Sequence, residues 1–153
     1  MRLKRCVGLL IVAIGLGAES AASQTPVAPE RVVREIYQAK IASAFGKSFD
    51  VTDAMVDSHF APELKALYRR AAHAPEPVVD FDIFYDAQDC SISNLDVRLI
   101  EQVGVRAVVR ASFDNYGEPT TVFFDMHLVD GTWMIEDLRY ASGHGLREIM
   151  AEP

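Results

Sequence analysis

Asp137 is the residue whose position invites chemistry. It ends the run from Thr120 to Asp137, which reads as two alternating strands around Asp130-Gly131. Aligning the strands about that turn leaves Asp137 as the one carboxylate on an otherwise apolar face. Apolar walls raise a carboxyl pKa, which would make Asp137 a general acid or base. Tyr37 and Tyr85 are the phenols that could work with it. The other reading places Asp137 at the sheet rim, paired with Arg139 or a helix end. Both stay open on the residues alone.

Three further groups carry donor atoms. Asp80, Asp82, Asp86 and Asp89, with Gln88 between the last two, put four carboxylates into ten residues. Oxygen ligands of this kind suit a hard cation such as calcium. The spacing lacks the glycine and terminal glutamate of a helix-loop-helix calcium site, so turn and helix capping is the competing role. Phe81, Phe84 and Tyr85 would anchor the segment to the core. Ser142-Gly-His-Gly145 precedes Leu146-Arg-Glu-Ile-Met150 and suits a helix start that could also cradle an anion. Cys90 is a buried small hydrophobe, an intermolecular bridge or a reactive thiol; no local Cys-His signature accompanies it. No cofactor motif is present and none is expected.

The elements that must hold these residues follow from periodicity. Pro29 opens a helix whose Val33, Ile36, Tyr37, Ile41, Ala44 and Phe45 recur at helical spacing, with Gly46 as its cap. A short helix is expected over 53–60. Ala61-Pro62 opens another with Leu64, Leu67, Tyr68 and Ala71 on one face, ended by Pro75 and Pro77. From Leu95 onward the period becomes two, which means strands. Asp130-Gly131 suits a two-residue hairpin and pairs Leu128 with Trp133, Met126 with Ile135 and Phe124 with Asp137. A Gln102-Val103-Gly104 loop pairs Leu99 with Ala107 and Val97 with Val109. Phe113 opposite Thr120 pairs Val109 with Phe124. All the apolar faces then coincide, predicting a four-strand antiparallel meander.

The same register puts Asp125 opposite Glu136 on the polar face, with Arg106 and Arg110 placed to neutralise them. It puts His127 on that face beside Arg106 and Met134, away from any interior site.

Helices followed by a one-faced sheet imply an α+β domain with the helices covering the apolar face. The chain resembles the nuclear transport factor 2-like cone fold shared with ketosteroid isomerase and scytalone dehydratase, through the Gly131-Thr-Trp-Met-Ile-Glu-Asp137 ending. Asp80-Phe-Asp-Ile-Phe-Tyr-Asp-Ala-Gln-Asp89, with Trp133 to Asp137 and Leu146-Arg147, is similar to an exported bacterial family of unknown function in that superfamily. The resemblance spans about residues 29–150. It implies a curved sheet, a short C-terminal helix and an apolar pocket. That pocket would be lined by Ile36, Tyr37, Ile41, Val109, Phe124, Met126, Trp133 and Ile135, with Asp137 near one end. Such pockets take small apolar molecules. The superfamily's enzymes use an Asp or His base with Tyr partners inside the cone, but no complete pattern carries over. The isomerase base has no match on an early segment. His127 faces outward, and His59, His73 and His144 lie in helical or loop segments.

The N-terminus gives an address. Arg2, Lys4 and Arg5 precede an apolar stretch from Val7 to Ala18, followed by Ser20, Ala21, Ala22 and Ser23. That is a signal peptide by length, cleaved after Ala22 or Ser23, and too short for a stable anchor. The expected organisation is a signal peptide over 1–23, a flexible leader over 24–28 and one domain over 29–153. Removing 1–23 leaves 12 basic and 21 acidic residues, a net charge of −9. A chain that acidic, without a basic cluster, is a poor nucleic-acid binder. The expectation is a secreted, bacterial periplasmic protein that binds a small apolar ligand or a protein partner without catalysis. The alternatives are a cavity isomerase, dehydratase or hydrolase using Asp137, and an envelope accessory or immunity-type protein. A homodimer through the sheet is also allowed.

Overall fold

The computed structural model describes residues 26–43, 51–76 and 78–151. The expected signal segment, Ala44, Phe45 and Gly46 of the expected first helix, and Pro77 lie outside them. Three helices come first: α1 (Pro29–Ser43), α2 (Asp53–His59) and α3 (Pro62–Ala72). Four strands follow: β1 (Ile92–Val103), β2 (Arg106–Asn115), β3 (Glu118–Val129) and β4 (Thr132–Tyr140). A short α4 (Leu146–Ala151) ends the described chain. The fold is α+β, and its antiparallel sheet, ordered β1-β2-β3-β4, is curved and unclosed.

Local chemistry sets the boundaries. Thr52 caps α2 by accepting the Met55 N–H at 3.2 Å. Pro62 at the first position of α3 needs no donor there. Asp130 and Gly131 have φ of 49° and 80°, the left-handed pair that a two-residue hairpin requires. Tyr116 and Gly117 (51° and 86°) repeat this between β2 and β3. Pairing there runs to Asn115 opposite Glu118, so the turn is tighter than expected, while Phe113 does sit opposite Thr120 and Val109 opposite Phe124.

Two registers differ from expectation: β1–β2 by a tighter turn together with a bulge, β3–β4 by a bulge alone. Val103 pairs with Arg106, so the β1–β2 turn is Gly104-Val105 rather than a three-residue loop. Ile100 is the extra residue between Leu99 opposite Val109 and Glu101 opposite Val108. Leu99 therefore faces Val109, not Ala107, and Val97 faces Ala111, not Val109. In β4 the extra residue is Glu136. Leu128–Trp133 and Met126–Ile135 pair as expected, but beyond the bulge Phe124 faces Leu138 and Asp125 faces Asp137. The inward set switches from Trp133 and Ile135 to Leu138 and Tyr140, all nearly inaccessible. One inserted residue thus replaces a carboxylate with leucine on the apolar face, avoiding an uncompensated buried charge.

The core lies between that face and the helices. Val33, Ile36 and Tyr37 of α1, Phe60, Leu64 of α3, and Ile83, Phe84 and Tyr85 of the crossing segment pack onto Val109, Phe113, Phe124, Met126 and Ile135. Edge β4 is covered in two places. Phe60 bridges to Ile135, with the Ala61 N–H donating to the Ile135 carbonyl at 2.8 Å, and Gly145 bridges to Arg139. Edge β1 has no strand partner among the described residues. No described helix is long and apolar enough to cross a membrane.

Candidate functional site

Most of the expected pocket wall is assembled, and its described side chains pack against one another. Tyr37, Phe124, Met126 and Ile135 are buried, as is Trp133. The Tyr37 ring lies 5.5 Å from Phe113, 6.0 Å from Tyr85 and 6.1 Å from Phe124. Phe84 stacks on Phe124 at 6.2 Å and 15°. These spacings are those of aromatic rings in direct contact. Ile41 stands apart, more exposed near the end of α1.

Asp137 is not in that interior. Its carboxylate accepts the Leu138 N–H at 2.8 Å and the Arg147 N–H at 3.0 Å, so it caps the start of α4. Burial nevertheless raises its carboxyl above the usual value, against the lowering effect of the two N–H bonds. Tyr37 is committed elsewhere: its hydroxyl donates to the Phe84 carbonyl at 2.6 Å. Asp137 also explains Gly145. A Cβ on Gly145 would meet Asp137 Oδ2 at 2.8 Å. Because that oxygen belongs to a tethered carboxylate, Gly145→Ala should destabilise the fold by about 1–3 kcal/mol, read from urea midpoints at constant m-value.

The crossing segment holds a charge pair that helical spacing alone left unremarked. Lys40 falls one step further along the Val33, Ile36, Tyr37 stripe, and it is wholly buried. Its Nζ donates to Asp82 Oδ2 at 2.6 Å and lies 4.8 Å from the Tyr85 ring centre and 5.2 Å from that of Phe84. Asp82 Oδ1 accepts the Phe84 N–H at 2.9 Å. Asp82 therefore serves as a counter-ion and turn-former. Asp80 accepts from the Gln88 side chain at 3.4 Å, and Asp86 and Asp89 are exposed. Among the described residues no three His, Cys, Asp or Glu side chains converge to hold a metal ion.

The Tyr85 hydroxyl is buried without a well-formed hydrogen bond, and the Cys90 thiol is its polar neighbour. Burial, then the Asp82 charge, push the Cys90 thiol above its ordinary pKa despite Lys40. A raised pKa leaves less thiolate at neutral pH. Cys90 should therefore be alkylated more slowly than a free cysteine at pH 7–8, and its rate should still be climbing where the free thiol has levelled off. A rate matching the free thiol would contradict the raised pKa.

On the polar face Arg139 chelates Asp125 through Nε (2.7 Å) and Nη2 (2.8 Å), and Arg106 binds Glu136 at 2.7 Å. Arg106 thus neutralises Glu136 as expected, but Arg139 takes Asp125, and Arg110 turns instead to Asp96 at 3.7 Å. His127 pairs in register with Arg106 and Met134, as expected. His59 is partly buried in α2, which lowers its pKa.

Comparison with known proteins finds no matching family model, curated protein or solved structure. The site must therefore be judged on its geometry.

That geometry draws attention to the far end of the sheet. Around the β1–β2 turn, Leu99, Ile100, Val103 and Val105 are exposed, Val103 by 67%. Beside them is an open groove of about 280 Å³ whose lining includes Val103, Val108, Glu101, Arg106, Asp125 and Glu136. Glu101 makes no ion pair among the described residues, unlike the other three charges. Alternation placed Leu99 with the core set. It could not show that β1 runs past the helices that would cover it.

Proposed function

We propose that this is a non-enzymatic protein-binding domain of the bacterial envelope, and that the open end of its sheet is the binding surface. The observation that carries this is the contrast between a buried, packed core and four exposed aliphatic side chains at one hairpin. Clustered exposed aliphatics beside a polar rim mark contact surfaces. The exposed aliphatics beside an edge strand favour a partner segment that is extended and apolar, and Glu101, without an ion pair among the described residues, leaves one carboxylate for it to meet. The order of elements supports membership of the nuclear transport factor 2-like superfamily, in a form whose interior is packed. The basic, apolar N-terminus supports export to the periplasm.

A small apolar ligand would need the space now held by Phe124, Phe84 and Tyr37. A cavity enzyme would need Asp137 turned inward, whereas its Oδ1 accepts the Leu138 N–H and the Arg147 N–H at the α4 start. The test is a photo-crosslinking residue placed at Val103, or at Asp130 on the opposite hairpin, in cells exporting the protein. Adducts should form from position 103 and not from 130. Equal labelling, or none from 103, would sink this reading. Native mass spectrometry of the exported protein should show no retained small molecule.

A further inference from the structure

Resting on the reading that the open end of the sheet is the binding surface, we infer that its partner is a second copy of this chain, joined β1 to β1 across a two-fold axis. Three observations lead there.

The first is the edge itself. β1 is twelve residues long and pairs on one side only. Arg34 Nη2 donates to the Val97 carbonyl at 2.9 Å, which ties α1 to the β1 edge at that residue. Beyond Val97 the strand runs exposed to Val103. An edge strand offers unpaired N–H and C=O groups that another strand can complete.

The second is parity. In a two-fold antiparallel pair, each residue must meet a partner residue on its own face of the sheet. Arg98 and Glu101 are three apart, so in a regular strand they would face opposite ways. The Ile100 bulge changes this. Arg98 sits opposite Arg110 and Glu101 opposite Val108, on one and the same face. A two-fold axis between Leu99 and Ile100 therefore sets Arg98 of each copy against Glu101 of the other.

The third is charge and apolar content. Glu101 has no ion-pair partner within its own described chain, and Arg98 is two-thirds exposed, its Nε on Asp96 at 2.8 Å. The remaining guanidinium donors can reach a carboxylate across the seam. The same axis puts Leu99 of one copy beside Ile100 of the other, twice over. Those residues are 38% and 51% exposed in the single chain. The contact is self-complementary: two opposite-charge pairs flank an aliphatic centre. A seam of this length falls among the small interfaces, so the dimer should form at roughly micromolar concentrations.

The experiment is sedimentation equilibrium on the protein purified after export, over a concentration series. Wild type should shift from monomer to dimer. Arg98→Glu and Glu101→Arg each turn both seam pairs into like charges, and each alone should weaken the dimer about tenfold. Both sites are exposed, so folding should survive; circular dichroism checks this. The decisive sample is the equimolar mixture of the two variants. There every Glu at 98 or 101 meets an Arg, and dimer should return to near the wild-type level. The double variant Arg98→Glu/Glu101→Arg should likewise dimerise by itself. A wild type that stays monomeric at millimolar concentration overturns the inference, as does a dimer indifferent to both reversals or a mixture that does not recover. Heterologous adducts from position 103 alongside a monomeric wild type would overturn the second copy as partner while leaving the binding surface standing.

Discussion

Asp82→Asn should lower the unfolding free energy by about 3–5 kcal/mol, the loss expected when one member of a buried ion pair is removed. Lys40 is wholly buried and the Asp82 side chain is 12% exposed, so solvent screening does little for the ammonium once the Asp82 charge is gone. Asparagine keeps an oxygen for the Phe84 N–H, so the loss reports the charge rather than the turn. The two phenyl faces near Nζ attract a cation but do not replace a carboxylate. Lys40→Met should destabilise for the converse reason, leaving Asp82 without its counter-ion. The double variant should recover a large part of the loss, since removing both charges removes the desolvation penalty as well. Urea unfolding of the four proteins closes the cycle. A loss below about 1 kcal/mol for Asp82→Asn, the size typical of an exposed pair, would mean that the pair is wetter than its burial indicates.

Phe124→Ala should remove about 3–5 kcal/mol, by lost transfer energy and by the hole left behind. Phe124 is inaccessible and touches Tyr37 and Phe84 by ring contacts, so little can collapse into its place. The variant also tests whether the interior is filled. An apolar hole of that size takes up benzene. Benzene should raise the melting temperature of Phe124→Ala and leave wild type unchanged. A wild-type shift as large as the variant's would show that the interior already has room for a ligand.

Some of this was legible before the structure. Asp130-Gly131 fixed its turn type by residue chemistry, and Leu128–Trp133 and Met126–Ile135 followed from it. Val109 opposite Phe124 followed from parity. The bulges at Ile100 and Glu136 were not legible, because the alternation scanned equally well without them. In β4 the regular pattern ran Trp133, Ile135, Asp137, while the bulged pattern ran Trp133, Ile135, Leu138, Tyr140. The second buries more apolar surface and frees the carboxylate for α4. The charge at the end of the regular pattern was the signal that could have revealed it. Lys40 was hidden differently: a lysine ending an apolar stripe is ordinarily solvated through its long stem. Its Asp82 counter-ion comes from the chain crossing 42 residues later.

The placement of α1 has a consequence for the order in which the chain is made. Its buried residues rest on segments translated much later: the Tyr37 hydroxyl on Phe84 and its ring on Phe113 and Phe124; the exposed Arg34 likewise reaches Val97. The three hairpins, by contrast, close between neighbours in the chain. At synthesis rates of up to about 20 residues per second, α1 waits for at least several seconds before its docking site exists. Throughout that interval Val33, Ile36 and Tyr37 have nothing native to bury against, so the nascent chain stays open until its second half has emerged. The sheet can thus form hairpin by hairpin, with α1, made first, as a late element of the core to dock.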